Sequence, residues 1–221
     1  MRTLNIISDF LKIFFTLKSK KVNNYHLRVS NFEKESKQIV EKKLVSKILK
    51  QKKISKVLDF GCNNCSLKIY LDKKINYWGV DTNKDLLKNV KLYSKNFSII
   101  NKNIPFRNNY FDCIVMSHVF AHLDDPKKWL SKLEQKLKRN GIIIIITPNK
   151  FYKFFYFLFN LFNKYKPDLT INKHYSNKEI ENKYFLTNWK ILKSFSYSIN
   201  KNVISNNIIN SRCLIIAKKK R

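Results

Sequence analysis

The apolar and polar positions of the chain change period several times, and the changes mark out its elements. Residues 3–17 put Asn5, Asp9, Lys12 and Thr16 on one helical stripe, which Ser19 and Lys20 continue, and Ile7, Phe10, Leu11, Phe14 and Leu17 on the other side. This predicts an amphipathic helix. Residues 18–31 are basic and polar and read as a linker. A second helical pattern covers 33–51, with Ile39, Val40, Leu44, Ile48 and Leu49 turned inward. The pattern then shortens into strands: KVLDF (56–60), NYWGVD (76–81), FSII (97–100), YFDCIVMS (110–117) and IIIIIT (142–147). The last is apolar nearly throughout, as a strand buried on both faces should be. A short helix is expected after Cys65 and another over 85–93. Asp125 and Pro126 supply an N-cap and first turn for a helix through Leu130, Leu133 and Leu137, with Gly141 expected to end it.

Strands alternating with helices through short connections imply a parallel, doubly wound sheet. Ser176 and Glu179 have the spacing of a capping box that opens one more helix. Residues 191–199 and 213–218 then read as two strands. The Asn-rich loop between them is too short for a crossover helix, so they should pair as a hairpin. The expected fold is α/β: a Rossmann-like mixed sheet of seven strands, the last antiparallel, with helices on both faces. Residues 1–32 are expected to form the amphipathic helix and basic linker. Residues 33–221 form the domain proper, with an aromatic-rich insertion over 150–175.

Composition narrows the class. The chain has 221 residues, 44% of them hydrophobic, which is enough for one full core and argues against disorder. Three Gly and four Pro are too few for a turn-rich all-β fold. Against 45 basic residues stand 15 acidic ones, a net charge of +30. Such a surface attracts phosphates, nucleic acid or anionic lipid. Cys62, Cys65, Cys113 and Cys213 do not make a secreted disulfide framework. No secretory leader or run of spanning length stands out. The expected location is cytoplasmic, with possible peripheral contact at the inner face of a membrane.

In a parallel α/β fold, ligands bind beyond the carboxyl ends of the strands. The first such turn is Asp59-Phe-Gly-Cys-Asn-Asn-Cys65, and the second strand ends at Asp81, 22 residues after Asp59. An acid there can take the two hydroxyls of an adenosine ribose. A dinucleotide needs glycine where Asn63 stands, so that the backbone can approach a pyrophosphate. S-adenosylmethionine carries no phosphate, and asparagine tolerates the positive φ of a tight turn. The turn therefore suits S-adenosylmethionine better than NAD.

These residues resemble the class I S-adenosylmethionine-dependent methyltransferases, especially the group similar to ubiquinone-biosynthesis methyltransferases. VLDFGCNNC is similar to the family's first motif and YWGVD to its second-strand motif. The segment IPFRNNYFDCIVMSHVFAHLDDPKKWLSKLEQKLKRNGIIIIITPN is similar to its later block. The resemblance implies a methyltransferase using S-adenosylmethionine as cofactor. It implies that Asp59 and Gly61 hold the methionine part and Asp81 the ribose, with Cys62, Asn63 and Thr82 also among the cofactor-binding residues. Asn103 and Ile104 would flank the adenine, and Ser117 and His118 would lie near the reacting methyl. The family usually has glycine where Asn63 and Cys65 stand. It often has an acid at the end of the third strand, where this chain has Ile100, Asn101 and Asn103.

His118 is the candidate catalytic base, since histidine accepts protons near neutral pH. His122 is expected to pack or cap the following loop; His174 and Tyr175 are further candidates to face the site. Cys62 and Cys65 are expected to fill the turn; a redox pair is the alternative. No metal site is expected, for no second pair of ligands accompanies them. The segment FYKFFYFLFNLFNKYK (151–166) is apolar nearly all round. It is either a buried lid or an insertion into a membrane surface. The acceptor is accordingly a small molecule or lipid-linked, with nucleic acid less favoured. A non-catalytic basic membrane-surface protein on a degenerate scaffold is the remaining alternative.

Overall fold

In the computed structural model, residues 36–86, 96–100, 103–151, 171–200, 203–205 and 210–220 are described. The 3–17 helix, the basic linker, most of the 85–93 helix, Asn101 and most of the aromatic segment lie outside them.

The described residues open with α1 (Ser36–Gln51), then β1 (Lys56–Phe60), a 3-10 turn (Ser66–Tyr70), β2 (Asn76–Asp81) and a 3-10 turn over Lys84–Leu86. There follow β3 (Phe97–Ile99), β4 (Phe111–Ser117), a 3-10 turn (Phe120–His122), α2 (Pro126–Lys136) and β5 (Leu137–Pro148). Then come α3 (Asn177–Tyr184), β6 (Trp189–Asn200), β7 (Val203–Ser205) and β8 (Arg212–Lys219). The sheet order is β3-β2-β1-β4-β5-β8-β6-β7. The first five strands are parallel. β8 lies antiparallel between β5 and β6, as the hairpin reading required. The seven expected strands are present; the three-residue β7 adds an edge segment to β6.

Isoleucine alternation explains the centre of the sheet. Ile142, Ile144 and Ile146 point into one core with Val45, Ile48 and Leu49 of α1. Ile143 and Ile145 point into the other, with Leu130 and Leu133 of α2 and Ile180 of α3. Helices thus cover both faces, and a strand between two cores cannot carry polar side chains. Asp125 caps α2 by accepting the Lys128 N–H at 3.0 Å. The Ser176–Glu179 capping box opens α3 as expected.

One boundary is corrected. Gly141 does not end α2, which stops at Lys136 with Leu137 already extended (φ −74°, ψ 138°). The left-handed residue is Asn140 (φ 65°), and Gly141 lies within β5. A Cβ there would stand 2.9 Å from the Lys138 carbonyl oxygen, so glycine serves a close backbone approach and not a helix cap.

Candidate active site at the carboxyl ends of β1, β2 and β4

The β1 exit turn is unusually left-handed: Gly61 (φ 74°), Asn63 (φ 50°) and Cys65 (φ 61°) all have positive φ. Its amides are spent internally. Gly61 and Cys62 donate to the Val80 carbonyl at 2.8 and 3.1 Å, and Cys65 donates to the Cys62 carbonyl at 2.9 Å. The Asn63 N–H donates to Asp81 Oδ2 at 2.9 Å, and the Ser66 N–H to Asn64 Oδ1 at 3.1 Å. Asp81 Oδ1 takes the Asn83 N–H at 3.0 Å. By contrast, Asn63 Oδ1 is buried with no hydrogen-bond partner in the structure. With five amides of the turn spent, Asn63 Oδ1 and the remaining lone pairs of Asp81 are the acceptors it offers a ligand. These acceptors suit the ammonium and the ribose hydroxyls of S-adenosylmethionine, whose single carboxylate needs less close a backbone approach than a pyrophosphate does. The turn does not suit a pyrophosphate, which needs unspent N–H groups. The residues present fit S-adenosylmethionine.

The cysteines act as packing. Their sulfurs are 3.3 Å apart, and both residues are buried. A Cβ on Gly79 would stand 2.5 Å from Cys65 Sγ and 2.8 Å from Cys62 Sγ. The pair fills the space over the β2 glycine. Burial is the first of several causes that push the Cys62 thiol well above its ordinary range.

Asp59 lies within the protein, only 4% exposed, and accepts the Tyr77 hydroxyl at 2.7 Å. Burial pushes its carboxyl up to about 7, with nearby Asp81 adding to the rise; the Tyr77 bond and Lys42 oppose it. Between about 4 and 7, the folded chain holds a proton that the unfolded chain has lost. Rising pH therefore favours unfolding across this window. Urea unfolding at several pH values should show the decline, about 1.4 kcal/mol for each unit by which folded and unfolded values differ. Asp59→Asn should flatten it. An unchanged slope in that variant would assign the effect elsewhere.

The other predicted residues are distributed as follows. Ser117 closes β4, half-buried. Thr82 and Asn103 are exposed, while Ile104 is buried in the core beside Val80 and Ile100. His122 sits in the 3-10 turn, where its carbonyl accepts the Asn172 side chain at 2.7 Å. Tyr175 is buried; it bridges Asn149 and packs on Phe120, ring centroids 5.1 Å apart. His174 is half-buried. The β4 exit meets the turn directly, since a Cβ on Gly61 would stand 2.5 Å from Val119 Cγ2.

His118 precedes Val119 and also has positive φ (58°). Its Nε2 is 2.8 Å from Glu41 Oε2 of α1. The Tyr197 hydroxyl donates to Glu41 Oε1 at 3.0 Å. Arg212 Nε lies 2.5 Å from the same oxygen, but its N–H is not aligned on it, so this contact is an ion pair. Burial pushes Glu41 up, yet His118, Arg212 and Tyr197 outweigh it and hold the carboxyl down to about 2. α1 is also tied beside the turn by Lys42 Nζ on Ser66 Oγ (2.5 Å) and Ser46 Oγ on the Tyr70 carbonyl (2.7 Å). Sequence reasoning missed Glu41, Tyr197 and Arg212. A signal was present: Glu41 is the only acid of α1, and it lies four and seven residues before the apolar Val45 and Ile48.

A methyltransferase-domain family model matches residues 32–193. The chain belongs to the methyltransferase-domain family. S-adenosylmethionine is the methyl donor of that family. An uncharacterised protein of Methanocaldococcus jannaschii is 31% identical over 107 residues, which are 48% of this chain and 47% of that protein. The match thus spans about half the length of this curated relative. Among solved structures, a methyltransferase from Archaeoglobus fulgidus described as SAM-dependent is 22% identical (TM-score 0.53), over 80% of this chain and 94% of that one. A protein from Pyrococcus horikoshii is 16% identical (TM-score 0.58), over 80% of this chain and 88% of that one. These likenesses are of fold. Among the described residues no helix is long and apolar enough to cross a membrane.

Proposed function

We propose that the protein transfers the methyl group of S-adenosylmethionine to a hydroxyl of a lipid-linked acceptor, with His118 as the base. The observation that carries the cofactor assignment is the β1 exit turn, with five of its amides spent and Asn63 Oδ1 buried and unpartnered. Asp81 would take the ribose hydroxyls and Asn63 Oδ1 the ammonium, with Gly61 keeping the turn tight. Cys62 and Thr82 would contact the cofactor through the backbone, and Asn103 and Ile104 would flank the adenine. Asp59 supports the turn from within through Tyr77 and sets the charge beneath it.

When bound, the cofactor supplies an electrophilic methyl whose departure leaves a neutral thioether. The protein supplies position, the larger part of such a catalysis. A hydroxyl acceptor must lose its proton as its oxygen is alkylated. His118 stands at the β4 exit with a side chain 34% exposed, within reach of solvent and of an acceptor. Ser117, beside it, would line the same approach.

The net charge of +30 and the aromatic segment at 151–166 support a lipid-linked acceptor over a soluble one. That segment is too apolar for water and too short to span a bilayer. Its first residue, Phe151, and the described residues beyond it, Ile171–Lys173, adjoin the β5 and β4 exits. Phe151 is 67% exposed, and the Asn172 and Lys173 amides both donate to the Ala121 carbonyl. A peripheral location at the inner face of the membrane follows from this reading.

Calorimetry tests the first part: S-adenosylhomocysteine should bind and NAD should not. Preference for NAD would overturn the assignment. Sedimentation with phosphatidylglycerol vesicles tests the second. Binding should weaken with salt but persist in part, because apolar burial is not screened. Phe154, Phe155 and Phe159 replaced by Ser should remove the persistent part. Wild type left in the supernatant at low salt would make a soluble acceptor the better reading.

A further inference from the structure

We infer that Glu41 is a positioning residue that fixes the tautomer of His118, keeping the proton on Nε2 and leaving Nδ1 as the one basic nitrogen of the ring. The inference rests on the reading of His118 as the base and identifies the groups that hold it ready.

The argument is one of donors and acceptors. Glu41 is 2% exposed and ionised, so both of its oxygens accept. Oε1 is committed to Arg212 Nε and the Tyr197 hydroxyl, on β8 and β6. These two contacts prevent the carboxylate from rotating. Oε2 then faces His118 Nε2 at 2.8 Å. An acceptor at that distance requires a proton on Nε2, in the neutral ring as in the charged one. In the neutral ring the lone pair is therefore on Nδ1. When an acceptor hydroxyl gives up its proton, the proton goes to Nδ1 and the O–H electron pair stays on oxygen for the new bond to carbon. The imidazolium formed lies against the Glu41 carboxylate, which opposes its charge without taking its proton.

The arrangement also restricts the acceptor. A base with a pre-set lone pair is useless to a nucleophile that carries no proton to lose. The network therefore suits an acceptor that loses a proton on methylation, such as a hydroxyl, and not a thioether or tertiary amine. The groups assembling it come from α1, β4, β6 and β8, whose residues are up to 171 positions apart in the chain. The left-handed backbone of His118 turns its ring toward α1 at the point where the strand ends.

Glu41→Gln gives a prediction of opposite sign at the two nitrogens. The Gln amide has one oxygen and one NH2 group. The Tyr197 hydroxyl donates and the Arg212 guanidinium is a cation, so together they draw the oxygen to their side. The NH2 group then faces Nε2 and requires a lone pair there, which moves the ring proton to Nδ1. The candidate base nitrogen is thereby blocked while the side chain keeps its size.

Long-range 1H–15N correlation spectra of the full chain with 15N-labelled histidine read this directly, at a pH where the ring is neutral. Wild type should show protonated Nε2 and bare Nδ1 for His118, assigned by its loss in His118→Asn. Glu41→Gln should show the reverse, with S-adenosylhomocysteine affinity within a few-fold of wild type. Tyr197→Phe, which keeps the carboxylate, should retain the wild-type tautomer; it serves as the second variant if Glu41→Gln folds poorly. A bare Nε2 in wild type, or in Tyr197→Phe, overturns the inference, as does an unchanged tautomer in a folded Glu41→Gln. If the tautomers behave as expected but His118→Asn still converts S-adenosylmethionine to S-adenosylhomocysteine at the wild-type rate with a total lipid extract as acceptor, the base reading fails and the positioning geometry stands.

Discussion

Asp81→Ala is expected to abolish measurable binding of S-adenosylhomocysteine in calorimetry. The carboxylate has two duties. It accepts the Asn63 and Asn83 amides at 2.9 and 3.0 Å, which ties the β1 turn to the β2 exit. Its remaining lone pairs are the placed acceptors for a ribose. Loss of a charged acceptor from such a site should cost on the order of 2 kcal/mol or more, about thirty-fold in affinity. Release of the turn adds to this, because the unpartnered Asn63 Oδ1 is oriented by the same residue. Asp81→Asn separates the two duties: it keeps an acceptor for one amide at the same size, and should bind detectably but weakly. Undiminished affinity in Asp81→Ala would overturn the assignment of this edge of the sheet to the cofactor.

Gly61→Ala should lower both stability and cofactor binding, and it has two separable causes. The backbone at Gly61 has φ 74°, where a Cβ costs roughly 1–2 kcal/mol. The new methyl would also stand 2.5 Å from Val119 Cγ2 and 2.7 Å from its Cβ, and such overpacking costs roughly 1–3 kcal/mol. Together these amount to about 2–5 kcal/mol. At roughly 2–4 °C per kcal/mol for a chain of this size, a Tm fall of about 4–20 °C is expected. Val119→Gly in the same chain should relieve the collision but leave the φ strain, giving partial recovery relative to the sum of the single changes. Full additivity would show that the two residues do not meet. Because Val119 follows His118, the substitution should also displace the β4 exit and weaken any function that depends on it.

Much of this molecule was legible in the order of its residues. The limits of β1 and β2 could be read directly, because an apolar run flanked by lysines and by turn residues has few other uses. The five consecutive isoleucines at 142–146 announced a strand between two cores, and both cores are found. The caps at Asp125 and Ser176 follow from oxygens three residues before the amides that they accept. Gly141 misled for a local reason: residues 137–140 carry no periodic pattern, and a glycine after a helix usually ends it. Here β5 begins at Leu137 and pairs with Phe111, with an irregularity before Ile142 that the sequence does not encode.

Among the described residues, the sequence by itself determined most of the helices and strands, the faces they bury, and the acid-bearing turn at the end of β1. These properties depend on neighbours within one or two turns of chain, where side-chain period and backbone preference act directly. Only the tertiary structure decided what the charged residues mean. Glu41 looks like a solvated acid in a lysine-rich helix until residues 118, 197 and 212 close around it. The turn looks poor in glycine until Val80 and Asp81 absorb its amides and two left-handed non-glycine residues, Asn63 and Cys65, stand where the family has glycine. The physical reason is that a buried charge is tolerated only where partners converge on it, and convergence over 77 and 156 positions of sequence is a property of the folded chain alone.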